Sequence, residues 1–421
     1  MTRLSPPPYR ALLTGILIVA AAIRFATAPL QAIEGRADTI LFQLWGYSAD
    51  TYGLTQVYEH PIAHPDFQII PLPNYLPPYL VVLAALAKVH NLFEPASAVG
   101  TPIASVIFKT PAILFELATV LLLAFIVRRR WGEGWALGAA LLYAFNPAII
   151  FTTAGWGQVD AINTFFMVLC VWLLTQRQLA WAVVAFTAAF FMKMQSLVLV
   201  PLLAYGILHR WPYWPRLLKS VSAGLATAVL LCLPFVLAGK TDQVVQIIRG
   251  AAGTYAIPSA NAFNLWWFAS GGFWTYRLDT ETLLGLPLVL IGAGLFFSAV
   301  AFAVWFRARV KTAEGLWLAA AFLAFAFFML PTEMHERYLF PLFALLIPVL
   351  PALRPARWLY AALSFTFLWN LLVVFIILSR LDIDHLDNFW GGSLVVAALN
   401  ILLFIGTVVW CARMARREQL S

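Results

Sequence analysis

The chain has 421 residues, of which 62% are hydrophobic and 11% charged, against roughly 25% charged in an average soluble domain. A soluble core cannot hide that much apolar surface, but a bilayer can. Soluble, disordered and nucleic-acid-binding classes are therefore excluded, and the net charge of +8 matters for where it sits.

Apolar runs long enough to cross, or nearly cross, about 30 Å of hydrocarbon fall at roughly 11–29, 104–127, 134–153, 162–176, 178–193, 196–209, 220–239, 283–306, 315–331, 338–353, 358–379 and 390–412. They predict an all-α, polytopic transmembrane bundle of about 12 spans, one domain over 1–421, with interfacial or re-entrant helices in the outer loops. The stretch 75–93 opens with Pro77-Pro78 and reads as a re-entrant or interfacial helix, or as a further crossing. The first run lacks a small-residue cleavage site and reads as an anchor. Cys170, Cys232 and Cys411 lie in apolar runs with no metal or disulfide spacing.

Orientation follows from the Lys/Arg bias. With an inside N-terminus and 75–93 not crossing, the inside loops hold 17 of the 27 basic residues and three acids, Glu133, Glu314 and Glu418. The split is +14 inside against −6 elsewhere. Both termini are expected in the cytoplasm of an inner or cell membrane. Two outside segments are long, 30–103 and 240–282, and carry Glu34, Asp38, Asp50, Glu59, Asp66, Glu94, Asp242, Asp279 and Glu281. Long loops of that kind are functional surfaces more often than connectors. The halves show no repeat, which weakens an inverted-repeat transporter reading.

Five short motifs can carry chemistry. In A-D-T-I-L-F-Q-L-W, Asp38 and Trp45 are seven residues apart, on one face of a helix. A carboxylate there could deprotonate a hydroxyl acceptor, although a solvated loop acid has the same signature. N-Y-L-P-P-Y (74–79) starts a helix. G-W-G-Q-V-D (155–160) gathers Trp156, Gln158 and Asp160, which could stack on and hydrogen-bond a sugar. An interfacial tryptophan near a helix start explains it as well. M-K-M-Q-S (192–196) puts Lys193 in a break between two short helices, where a lysine is costly and could hold a phosphate or could snorkel. E-M-H-E-R-Y (333–338) supplies His335 and Arg337 as a phosphate clamp, or a helix start whose Glu333 and Glu336 suit the dipole. P-loop, Rossmann and H-E-x-x-H fingerprints are absent, so an activated substrate would arrive through the membrane as a lipid.

In order and spacing, these motifs resemble those of the GT-C superfamily of membrane glycosyltransferases. The resemblance is to dolichyl-phosphate-glucose-dependent glucosyltransferases and to bacterial relatives of the GPI mannosyltransferases. It runs from about 38 to 340 and includes Lys109, Pro111 and Glu116 as a K-x-P helix, and Gln246 to Trp266 as an outer-loop helix with its aromatic follow-on. Two positions depart from the pattern. Ile40 stands where the family has a second acid, and Asn74 replaces the aspartate of D-Y-P-P.

The resemblance implies an inverting hexosyltransferase using a polyprenyl-phosphate sugar (mannose or glucose) and a lipid-linked or cell-envelope glycan acceptor on the outer face. Asp38 would be the catalytic base, and Lys193, His335 and Arg337 the donor-phosphate ligands. Trp45, Trp156, Gln158, Asp160 and Glu336 would form the sugar and acceptor pocket. Neither a cofactor nor a metal is called for, and no nucleic-acid partner. A transporter or lipid flippase without covalent chemistry is the rival, and a non-catalytic envelope subunit a third reading.

Overall fold

The computed structural model describes residues 8–30, 38–60, 63–64, 68–69, 72–95, 98–208, 214–251, 253, 255–272, 278–380 and 386–417. Of the loop acids named above, Glu34 and Asp66 lie outside these residues, as does Glu418.

The first third holds α1 (Tyr9–Thr27), α2 (Asp38–Tyr52), a two-stranded antiparallel pair β1 (Ala63–His64) and β2 (Gln68–Ile69), α3 (Pro77–His90) and α4 (Pro102–Trp131). Next come α5 (Glu133–Ala144), α6 (Pro147–Ile150) running into a π-helical turn (Phe151–Gly155), α7 (Asp160–Thr175) and α8 (Leu179–Met192). A 3-10 stretch (Met194–Leu199) leads to α9 (Val200–Leu208), α10 (Trp214–Leu231), α11 (Leu233–Leu237) and α12 (Thr241–Gly250). Then follow β3 (Ser259–Ala260), α13 (Leu265–Ala269), the hairpin β4 (Thr282–Leu283) and β5 (Leu286–Pro287), and α14 (Leu288–Arg309). The chain closes with α15 (Ala313–Met329), β6 (Met334–His335), α16 (Phe340–Leu346), α17 (Arg354–Arg380) and α18 (Leu386–Arg417).

Helix lies in all twelve apolar runs. Among the described residues, however, only five helices are long and apolar enough to cross a bilayer, in α1, α4, α14, α17 and α18. There are six if α5 and Pro147–Gly155, bent by 48° at their break, form one span. Length and composition thus give five or six spans where about 12 were expected. The shortfall has a physical cause. Helices such as α7, α8 and α15 have 16, 14 and 17 residues, short of the ~20 that span the hydrocarbon of a bilayer. In α15 every residue from Gly315 to Ala326 is buried, as expected for a helix apolar all round at the centre of a bundle.

Local signals set the boundaries. Thr101 accepts from Ala104 N at 3.1 Å, and Pro102 opens α4. Arg128, Arg129 and Arg130 sit in its last turn, where cations suit the dipole. Asn146 caps α6 through Ala148 N at 3.0 Å. Peripheral α1 buries only Ala20 and Arg24. Arg24 holds it to the bundle by pairing with Glu116 of α4 and donating to Ala144 O of α5 at 2.8 Å, while its other donor bonds Ala20 O within α1 at 3.0 Å. Both charged side chains are fully buried, a position that requires such pairing.

The stretch 75–93 is a helix, α3, with Pro77 and Pro78 in its first turn. It packs so closely on α2 that a Cβ at Gly46 would come within 2.6 Å of Leu83 O. The orientation is tested by cysteine labelling of the exposed positions 50, 129 and 280. Asp50→Cys and Thr280→Cys are expected to react with an impermeant maleimide from outside, and Arg129→Cys is not. Outside labelling at 129 would show that α3 crosses.

Candidate active site

One end of the bundle collects the predicted residues. Asp38 is the first residue of α2, and Gln158 Nε2 donates to its Oδ2. Arg337 Nη2 lies 3.6 Å from the same oxygen. Arg337 Nη1 donates to Glu336 Oε1 at 2.8 Å. Lys193, in extended backbone where α8 breaks, donates to Asp160 Oδ1 at 2.6 Å and sits 4.9 Å from the Tyr338 ring centre. Side-chain exposure separates the three carboxylates: 30% for Asp38, 0% for Asp160 and 2% for Glu336. Asp38 is the most exposed of the three.

The segment carrying Gln158 is held by contacts that the sequence reading did not assign. The π-helical turn places Trp156 N on Phe151 O at 2.7 Å, and such bulges recur at functional sites. Lys109 Nζ donates to Leu30 O, Ala154 O and Gly155 O at 2.8, 3.0 and 2.8 Å. Thr39 Oγ1, beside Asp38, donates to Trp156 O at 2.9 Å. Gly157 closes this junction with φ +83°, and a Cβ there would lie 2.6 Å from Thr39 Oγ1 and 3.0 Å from Lys109 Cε. Gly157→Ala is therefore expected to cost about 1–3 kcal/mol and to displace Gln158 from Asp38. Thermal unfolding and turnover read this, with Gly15→Ala as control, because a Cβ at Gly15 meets nothing within 4 Å.

Three expectations change. Residues 333–338 do not open a helix. Met334–His335 is β6, paired in parallel with β3, and α16 starts only at Phe340. Glu333 takes the left-handed φ of 65°, and its carboxylate accepts from Gly253 N at 3.0 Å and Tyr255 N at 3.2 Å. It pins the neighbouring loop, and no helix dipole acts on it. The tryptophans expected as sugar platforms are packed inside. Trp45 is 4% exposed against Phe42 and Tyr75, and Trp156 is 5% exposed against Phe151 and Phe375. Their apolar rings make walls and not open stacking faces. Finally, both expected phosphate-binding cations already have carboxylate partners.

The electrostatics follow from that crowding. Burial, the largest single influence, would raise the Glu336 carboxyl, but the Arg337 guanidinium and the neighbouring His335 together outweigh it and hold the pKa to about 2. Burial and then Arg337 lower the His335 pKa, so His335 is a neutral ring at physiological pH and not a third cation. Its Nδ1 lies 3.8 Å from Glu336 Oε2, beyond hydrogen-bond reach. The Tyr255 ring meets His335 edge-on at 4.5 Å. Arg337 Nε is buried without a hydrogen-bond partner, a donor left for a ligand to satisfy. Tyr75, Tyr255 and Tyr338 are further site residues. The letters beside the P-P and E-R motifs were the only trace of Tyr75 and Tyr338 in the sequence, and Tyr255 lies within the second long loop.

A helical membrane bundle with a carboxylate, paired bases and aromatics at one end matches known enzymes in fold and, over part of its length, in sequence. Residues 96–238 match the family described as dolichyl-phosphate-mannose-protein mannosyltransferase. That third of the chain includes Lys109, Gln158, Asp160 and Lys193, but neither Asp38 nor 333–338. No curated protein matches in sequence. Among solved structures the chain is similar to ArnT from Cupriavidus metallidurans bound to undecaprenyl phosphate. The TM-score is 0.51 at 15% identity, over 97% of this chain and 77% of that one. The apo state of the same protein matches with a TM-score of 0.50 at 16% identity, over 96% and 76%. The sequence thus matches that family's model over residues 96–238, and the chain as a whole has the fold seen in ArnT.

Proposed function

We propose that the protein is an inverting glycosyltransferase that moves a hexose, mannose or glucose, from a polyprenyl-phosphate donor to a lipid-linked or cell-envelope glycan acceptor at the outer membrane face. The observation that carries this reading is Asp38, a reachable carboxylate oriented by Gln158 and faced by Arg337. Asp38 takes the proton of an acceptor hydroxyl as the oxygen attacks the anomeric carbon. The carbon–phosphate oxygen bond breaks on the opposite face, which turns a β-linked donor into an α-linked product. Polyprenyl phosphate leaves, and Arg337 Nε and the free N–H bonds of Lys193 stabilise its charge. The undecaprenyl phosphate bound by ArnT supports a lipid phosphate of that class. Gln158, Asp160 and Glu336 order the polar wall of the pocket, while Trp45 and Trp156 pack behind it.

The test is incubation of purified protein with radiolabelled polyprenyl-phosphate mannose, glucose or galactose and a membrane lipid extract. Labelled glycan from mannose or glucose is the expected result. Transport of the lipid with no glycosyl product in any arm would favour the flippase reading instead.

A further inference from the structure

We propose a second anion site at the other end of the bundle, built for a phosphate monoester. A cavity of about 470 Å³ is lined there by Arg177, Tyr205, Arg307, Lys311 and Thr312 among others, a volume in the range of ligand pockets. It lies at the Arg177 end of α7 and α8 and at the start of α15. Asp160 and Lys193 occupy the opposite ends of α7 and α8, and Arg337 lies in the link that follows the opposite end of α15. Along the 16 residues of α7 the separation is about 24 Å, so the two sites are distinct. The Lys/Arg bias assigns this end to the cytoplasm.

Three cations reach the cavity from separate places: Arg177 from the turn between α7 and α8, Arg307 from the last turn of α14, and Lys311 from the link to α15. Among the described residues no carboxylate lines it. Glu314, in the first turn of α15, pairs with Arg130 at 3.1 Å instead. The catalytic end differs, because there each base has an acid partner. Arg307 donates Nη1 to Val310 O at 2.8 Å and lies 5.8 Å from the centre of the Tyr205 ring, contacts that neutralise none of its charge. Thr312 caps α15 by accepting from Gly315 N at 3.1 Å, so the positive end of that helix dipole adds to the field.

Topology accounts for basic residues at this end but not for a cavity among them. Nor does it account for Arg177, which holds a left-handed φ of 61°, a conformation that costs an arginine energy and a glycine none. A phosphate monoester carries about −1.5 to −2 at neutral pH, and three cations suit it better than a singly charged diester. The same chemistry is offered by the headgroup of a lipid phosphate monoester and by free inorganic phosphate.

The test is equilibrium binding to the full-length protein in neutral detergent at fixed ionic strength. The probes are dihexanoyl phosphatidic acid, inorganic phosphate and dihexanoyl phosphatidylcholine. Saturable binding of a phosphate monoester, and none of phosphatidylcholine, is expected. Lys311→Gln, at an exposed position, should weaken binding about tenfold, the loss of one charge-assisted bond. Arg177→Gly should weaken it similarly while leaving the unliganded protein as stable or more so, which a purely structural arginine would not do. Competition by inorganic phosphate at equal concentration assigns the site to the free anion. Failure to compete at hundredfold excess assigns it to the lipid. Unchanged affinity in both variants, or no saturable binding of either phosphatidic acid or inorganic phosphate, overturns the proposal.

Discussion

Asp38→Asn is expected to lower turnover by about 10²–10⁴-fold, the usual contribution of a general base. The substitution keeps the size of the side chain and an oxygen that can still accept from Gln158 Nε2, but the amide cannot take up a proton. Arg337 loses one of two acid neighbours and keeps Glu336 at 2.8 Å, so the clamp stays assembled and donor affinity should change little. Asp50, exposed at the far end of α2, is the control, and Asp50→Asn should leave turnover near normal. Product formation from labelled donor, measured with donor affinity for the three proteins, decides the matter. Near-normal turnover in Asp38→Asn would sink the base assignment. The buried Asp160 and Glu336 could replace it only by a rearrangement that this geometry does not show.

The motifs in the sequence pointed to residues that the fold brings together, because each motif falls at a helix start, a helix break or a tight link at one end of the bundle. Asp38 begins α2, Asp160 begins α7, and Lys193 ends α8. Helical period and turn chemistry are local, and they were legible. Partnerships were not. Asp160 and Lys193 are 33 positions apart, and the packing of α7 on α8 alone decides that they meet. Lys109 was noted as part of a K-x-P helix, but two of the three carbonyls that anchor it, Ala154 O and Gly155 O, belong to the π-helical turn, which has no sequence signature. Glu333 was misread because an acid before an apolar run looks like a helix start. Its role is set by Gly253 N and Tyr255 N, distant in sequence.

That hidden partnership changes what a phosphate-ligand experiment must look like. Asp160 is fully buried, and Lys193 Nζ at 2.6 Å is its counter-ion. Removing one partner of a buried pair leaves an uncompensated charge and costs about 3–5 kcal/mol. Lys193→Ala alone is therefore expected to destabilise the protein, and its lost activity would say nothing about phosphate. The informative variant is Lys193→Met with Asp160→Asn, which removes both charges and keeps both volumes. Its unfolding midpoint should return close to wild type, since a buried pair replaced by neutral groups is often neutral in stability. Donor use should stay impaired by about tenfold or more, the order of one charge-assisted bond to phosphate. Arg337→Gln provides the parallel measurement on the clamp. If the double variant is stable and uses donor at the wild-type rate, Lys193 serves only to neutralise Asp160, and the phosphate rests on Arg337 alone.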